Sequence, residues 1–136
     1  MDYSGSGVAY PSLDQVCDIN RKMIDAKGGI FTSPKNLLNQ GSLEYILTDV
    51  ADPDLDASNH LLLKEIAAKI GYHIITRHVF YDGNKRTASH IAWAFLRAND
   101  IRAFLDSTII DLTEAIAENN ATLEEFSLWL IDHQES

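Results

Sequence analysis

Between His78 and Arg86 the chain reads His-Val-Phe-Tyr-Asp-Gly-Asn-Lys-Arg. An imidazole, a carboxylate, a glycine–amide pair and two cations stand within one short stretch. Imidazole titrates near neutrality, so His78 is suited to take a proton from a hydroxyl nucleophile. Asp82 offers a carboxylate of the kind that holds Mg²⁺, which takes one or two carboxylates together with phosphate oxygens and waters. Gly83 adopts positive φ at little cost, and Asn84 tolerates it better than most residues. Such a turn aims successive N–H groups into one concavity, a nest for phosphate oxygens. Lys85 and Arg86 then fall at a helix start, where their charge opposes the helix dipole unless a bound anion offsets it. Phe80, between the polar positions, pins the loop by burying its ring. Together these residues point to phosphoryl or nucleotidyl transfer. The residues alone leave a plainer reading open, in which His78 caps a helix end, Asp82-Gly83-Asn84 is an ordinary turn and the two cations are solvated.

Helices on both sides must position this stretch. From about Asp56 to Arg77, Leu62, Leu63, Ile66, Ala67, Ile70 and Ile74 recur at three- and four-residue spacing, which predicts a long buried helix of roughly 30 Å. The pattern resumes from Lys85 through Asn99, with Ala88, Ile91, Ala92, Phe95 and Leu96 facing inward. Upstream, Ser12 and Gln15 have the spacing of a capping box. The helix they open carries Leu13, Val16, Ile19, Met23 and Ile24 on one face and stops at Gly28-Gly29. Residues 30–41 read as a loop. Residues 41–50 form a short helix, broken at Asp52-Pro53-Asp54. Two more helices follow, from about Thr108 to Glu118 and, behind a Thr122/Glu125 capping box, from Leu123 to about His133. Only 30–33 and 101–105 could pair as short β segments. The expected fold is an all-α bundle of about six or more helices, a single domain over 12–136 preceded by a flexible stretch, 1–11.

Composition narrows the function classes. The chain has 136 residues, 46% of them hydrophobic, which suits one domain with one core. A net charge of −9 speaks against a general nucleic-acid binder. No apolar run approaches a membrane span, and no secretory signal opens the chain. Cys17 is the only cysteine, so neither an intrachain disulfide nor a cysteine-rich metal site is possible. The expected location is cytoplasmic.

The stretch from His78 to Arg86 resembles the signature of the Fic/Doc family, and more closely its Doc (death-on-curing) branch. The resemblance extends to SLDQVCDINRKMI, to GSLEYIL and to the whole of 60–131, and it implies the all-α Fic fold. By that resemblance His78 matches the base that activates the target hydroxyl, and Asp82 the Mg²⁺ ligand. Gly83, Asn84 and the following N–H groups match the phosphate nest, Arg86 the arginine on the nucleotide phosphates, and Phe80 the structural Phe. Two positions depart from the AMP-transferring members: Lys85 stands where they have Gly, and Ser89 where they have a second Arg.

With Lys at this place, the resemblance implies a Doc-like toxin of a toxin–antitoxin system. It would move the γ-phosphoryl group of ATP, with Mg²⁺, to a Thr or Ser hydroxyl of a protein. A Thr of elongation factor Tu is the typical target. Transfer of AMP, and a catalytically inactive binding member of the family, stay open beside this reading. The family's self-inhibitory pattern of Ser/Thr, three residues, Glu and Gly/Asn is not met. Before Glu118-Asn119 the required position is Glu114, and Thr113 is one residue out of register. The expected inhibitor is therefore an antitoxin acting in trans. Loop 30–41 is placed to act as a flap that docks the target's extended segment.

Overall fold

In the computed structural model, which describes residues 2–3 and 7–135, the longest apolar repeat becomes the axis of the molecule. The helix it forms, α3 (His60–Thr76), buries Leu63, Ile66, Ala67, Ile70, Ile74 and Ile75. Around it stand α1 (Leu13–Lys27), α2 (Gln40–Val50), α4 (Asn84–Ala98), α5 (Thr108–Ala117) and α6 (Leu123–Asp132). The fold is all-α, as expected. Complete burial of each Leu or Ile side chain stabilises the fold by about 1.5–3 kcal/mol before entropy is counted. At Gly71 an added Cβ would lie 3.0 Å from Phe126 and 3.1 Å from the Ala88 carbonyl oxygen. Any side chain there would push α3 away from α4 and α6.

Several boundaries differ from the sequence reading. The helix expected from Asp56 begins at His60, because Asp56 turns the chain by accepting hydrogen bonds from Ser58 and Asn59 caps the helix through Leu62 N–H. Residues 30–33 do not pair as a strand; Leu37 instead bridges to Phe80. The 101–105 segment contributes one antiparallel bridge, Ala103 to Gln134. A two-stranded antiparallel ribbon, β1 (Asp2–Tyr3) with β2 (Ala9–Tyr10), was not foreseen. Part of the stretch expected to be flexible, 1–11, packs against the body of the fold. Val8 and Ala9 are buried, and the Asn99 amide pairs with both backbone groups of Ala9 at 2.8 and 3.0 Å. Met1 and residues 4–6, also within that expectation, lie outside the described residues. Among the described residues no helix is long and apolar enough to cross a membrane.

Candidate active site

α3 ends by reversing on itself. His78 N–H donates to the Ile75 carbonyl and Val79 N–H to the Ile74 carbonyl, each at 3.2 Å. This double closure needs a left-handed residue between the helix and Val79, usually glycine. Here it is His78, with φ of 48°. The same closure ends α4 at Asp100 and α5 at Asn119, with φ of 63° and 62°. His78 thus lies just past the end of α3, as the sequence suggested, with an exposed side chain on a sharp reversal. The apolar contact that accompanies such a motif is present too, since Ile74 and Val79 are both fully buried.

Beyond His78 the chain is laced to the loop before α2. Leu38 and Asn39 N–H groups donate to the Val79 carbonyl, and Tyr81 N–H donates to the Asn36 carbonyl. The Asn39 amide donates to the carbonyls of Arg77 and His78 at 2.9 and 3.0 Å. Phe80 is buried, as expected of a pin. Asn84 clasps it: its Oδ1 accepts from Phe80 N–H at 2.9 Å and its Nδ2 donates to the Phe80 carbonyl at 2.8 Å. The Asn84 side chain thus closes the loop, and its backbone N–H is what remains for a ligand.

Gly83 holds the left-handed conformation the sequence required, φ 80° and ψ 15°, and opens α4 with no side-chain cap. The first N–H groups of a helix have no partner within it. Those of Asn84, Lys85 and Arg86 meet no side-chain acceptor among the described residues. Gly83 N–H is excluded from this set because it donates to Asp82 Oδ1 at 2.8 Å. Asp82 Oδ2 accepts from Ile30 N–H at 2.9 Å. That bond, with the Gly83 N–H and the Arg86 charge, holds the Asp82 carboxyl below the usual carboxylate range despite partial burial. It is ionised at neutral pH, and each oxygen keeps lone-pair directions for a cation.

A buried amide network fixes the turn from below. Asn20 and Asn36, both fully buried, direct their Nδ2 groups at the Asp82 carbonyl at 2.9 and 3.2 Å. Asn36 Nδ2 also donates to Asn20 Oδ1 at 3.0 Å, and Asn20 reaches the Thr87 hydroxyl at 3.0 Å. Burial of two amides is tolerable only because their hydrogen bonds are made. Neither Asn was singled out from the sequence. Asn20 replaces an apolar residue on the inner face of α1, and that interruption was the available signal.

His78, Asp82, Gly83, Asn84, Lys85 and Arg86 all line one cleft of about 420 Å³, with Tyr81 at its edge. Lys85 is exposed at the mouth. Arg86 lies lower, donating from Nη1 to the Met23 carbonyl at 3.3 Å and from Nη2 to the Gly28 carbonyl at 2.9 Å. It therefore neutralises the carbonyl end of α1 while bordering the cleft. Lys85 and Arg86 also border a second, mainly apolar cleft of about 370 Å³ between α1, α4 and α5. A larger cleft, about 720 Å³, lies elsewhere, between α2, α3 and α6. It contains no His or Arg, and the helix start on its wall is capped by Thr122.

Among the described residues no three His, Cys, Asp or Glu side chains converge as a metal cage. A single ionised carboxylate beside free N–H groups does fit Mg²⁺ arriving with phosphate oxygens, since Mg²⁺ keeps most of its shell as water and phosphate. The remaining residues weighed from the sequence take structural places. Cys17 is buried, and burial pushes its thiol up, away from reactive thiolate. Trp93 and Trp129 are half-buried against the core.

A model of the family described as Fic/DOC matches residues 10–96, well over half of the chain and all of the cleft-lining turn. No curated protein matches the chain.

Proposed function

The chain belongs to the Fic/DOC family, and within it we propose that it acts as a Doc-like protein kinase, transferring the γ-phosphoryl group of ATP to a Thr or Ser hydroxyl of another protein. The family points to protein modification by transfer of phosphate or a nucleotide, generally from ATP. The observation that carries the finer reading is the uncapped start of α4. The N–H groups of its first three residues meet no side-chain acceptor among the described residues, and those residues line one cleft with Asp82 and His78. Phosphoryl transfer is largely positioning and charge neutralisation, which this arrangement supplies.

In this reading the N–H groups of Asn84, Lys85 and Arg86 receive phosphate oxygens, and Lys85 neutralises the charge of the group in transit. Asp82 would hold Mg²⁺, which when bound neutralises and orients the phosphates. His78 takes the proton from the attacking hydroxyl at an imidazole nitrogen that no protein hydrogen bond occupies among the described residues. Its exposure leaves room for a protein acceptor. Loop 30–41 is joined next to the cleft by the backbone bonds of Asn36, Leu38 and Asn39 with Val79 and Tyr81, which supports a role in seating the acceptor's chain. The acceptor we favour is a translation factor such as elongation factor Tu. Control would come from an antitoxin in trans, and the setting would be the cytoplasm. The open apolar cleft beside Lys85 and Arg86 supports an external inhibitor.

The deciding experiment compares ATP labelled at the γ-phosphorus with ATP labelled at the α-phosphorus, using extract as the source of acceptor. Transfer of the γ label alone, lost in His78→Ala, supports the kinase reading. Transfer of the α label means nucleotide transfer instead. No transfer of either label points to an inactive binding member.

A further inference from the structure

The three residues after α1 hold both charged arms of the site. The Gly28 carbonyl accepts from Arg86 Nη2 at 2.9 Å, and Ile30 N–H donates to Asp82 Oδ2 at the same distance. Carbonyl faces cation and N–H faces anion, so the polarity of one short backbone segment matches two opposite charges. Asp82 and Arg86 stand four residues apart across the α4 start, a spacing from which carboxylate and guanidinium reach one another. A direct bidentate pair would be the stronger hydrogen-bonding partner for each. It would also consume the carboxylate needed for a cation and the guanidinium facing the cleft. No such ion pair forms among the described residues; each side chain instead takes one hydrogen bond from the strap and one from outside it, Arg86 to the Met23 carbonyl and Asp82 from Gly83 N–H.

Gly29, between the two contacts, is what lets the strap lie so close. It has φ of 133°, and an added Cβ would sit 2.7 Å from Asp82 Oδ2 and 2.9 Å from Ile24 Cδ1. Contacts that short require something to shift. Ile30 is 74% exposed, so its side chain does not explain the position of the segment. The hydrogen bond to Asp82 does.

We propose that the Gly28–Ile30 strap is a positioning element that keeps Asp82 and Arg86 apart and available to Mg²⁺ and phosphate, with Gly29 required because only a hydrogen fits against the Asp82 carboxylate. This rests on the transfer reading for what the two arms bind, but the strap's own geometry is tested separately. The variants are Gly29→Ala, which drives a methyl into the carboxylate, and Ile30→Pro, which removes the N–H donor and sets the ring Cδ against the carboxylate in its place. Gly7→Ala is the control, because Gly7 also has positive φ, 87°, and an added Cβ there meets nothing within 4 Å.

Two readouts apply. Amide hydrogen exchange on the nucleotide-free protein should show Ile30 N–H protected in the wild type and in Gly7→Ala, and unprotected in Gly29→Ala. Calorimetric titration with Mg²⁺·ATP should show affinity reduced about tenfold or more in Gly29→Ala and Ile30→Pro, as for loss of an outer-shell partner, with Gly7→Ala unchanged. Should Gly29→Ala fail to fold, Ile30→Pro carries the titration alone. Continued protection of Ile30 in Gly29→Ala, or unaltered affinity in Ile30→Pro, overturns the strap. A wild type that binds no Mg²⁺·ATP overturns the transfer reading instead, while the exchange data still judge the strap.

Discussion

Two helix starts in this molecule solve the same electrostatic problem in opposite ways. At α1, Ser12 Oγ accepts from Gln15 N–H, Gln15 Oε1 accepts from Ser12 N–H, and Asp14 adds a negative charge to the first turn. The free N–H groups find partners in the chain itself, and the dipole meets the charge it favours. At α4 the cap is Gly83, which has no side chain, the first turn holds no acid, and Lys85 and Arg86 bring positive charge to a positive end. Stability is secured at α1 and forgone at α4. α2 and α5 also begin without a side-chain cap, so what distinguishes α4 is the pair of cations at its start on the cleft wall, an arrangement that supports the anion site proposed above.

The contrast can be broken from the α4 side first. His78 occupies a left-handed position that glycine fills more easily, at a cost to a non-glycine residue of about 1–2 kcal/mol. His78→Gly should therefore remove about 10²- to 10⁴-fold of the transfer rate, the usual worth of a general base, and leave the protein as stable or slightly more stable by denaturant titration. A loss of both stability and rate would mean that the histidine is structural. Lys85→Glu gives α4 the acidic first turn that α1 has. Mg²⁺·ATP affinity should fall by about tenfold or more, while the dipole term raises stability by about 0.3–1 kcal/mol. Unchanged affinity would sink the role given to Lys85.

From the α1 side, Ser12→Ala should cost about 1 kcal/mol of stability and leave transfer untouched, since it empties a cap that serves only the fold. The smallest effect is in pH. Burial, aided by neighbouring cations, holds His73 and His90 below their ordinary value of 6.5. Both are neutral in the fold at pH 7, whereas the unfolded chain takes up protons as pH falls below 6.5. Stability therefore declines on acidification from that point and stops declining once the folded forms also protonate. His90→Gln should flatten part of this slope in thermal unfolding scans between pH 7 and 5.

What was legible in the sequence follows from the range of each interaction. The Ser12/Gln15 capping box and the inner faces of α3 and α4 depend on residues three or four apart and appear as read, while at Thr122/Glu125 only half of the expected box forms, Thr122 Oγ1 accepting from Glu125 N–H. Gly83 and Phe80 are also local, the one a turn conformation, the other a buried ring. The start of α3 was misplaced because Asp56 competes for the backbone through its own turn, which apolar periodicity does not register. The left-handed state of His78 was hidden because glycine is the usual sign of such a reversal. Asn20, Asn36 and Gly29 were missed because each acts on Asp82 from 46 to 62 residues away. Docking of Ala9 was missed for the same reason, since its partner is Asn99. Of the cleft, the polar lining residues His78 and Asp82 to Arg86 were readable, whereas the distant residues that hold Asp82 were not.

The most direct test of the account is the intact mass of an acceptor protein after incubation with the chain and ATP·Mg²⁺. A gain of about 80 Da, absent with His78→Ala, is the result expected of phosphoryl transfer. A gain of about 329 Da, the mass that AMP adds, or no ATP-dependent gain at all, would contradict it.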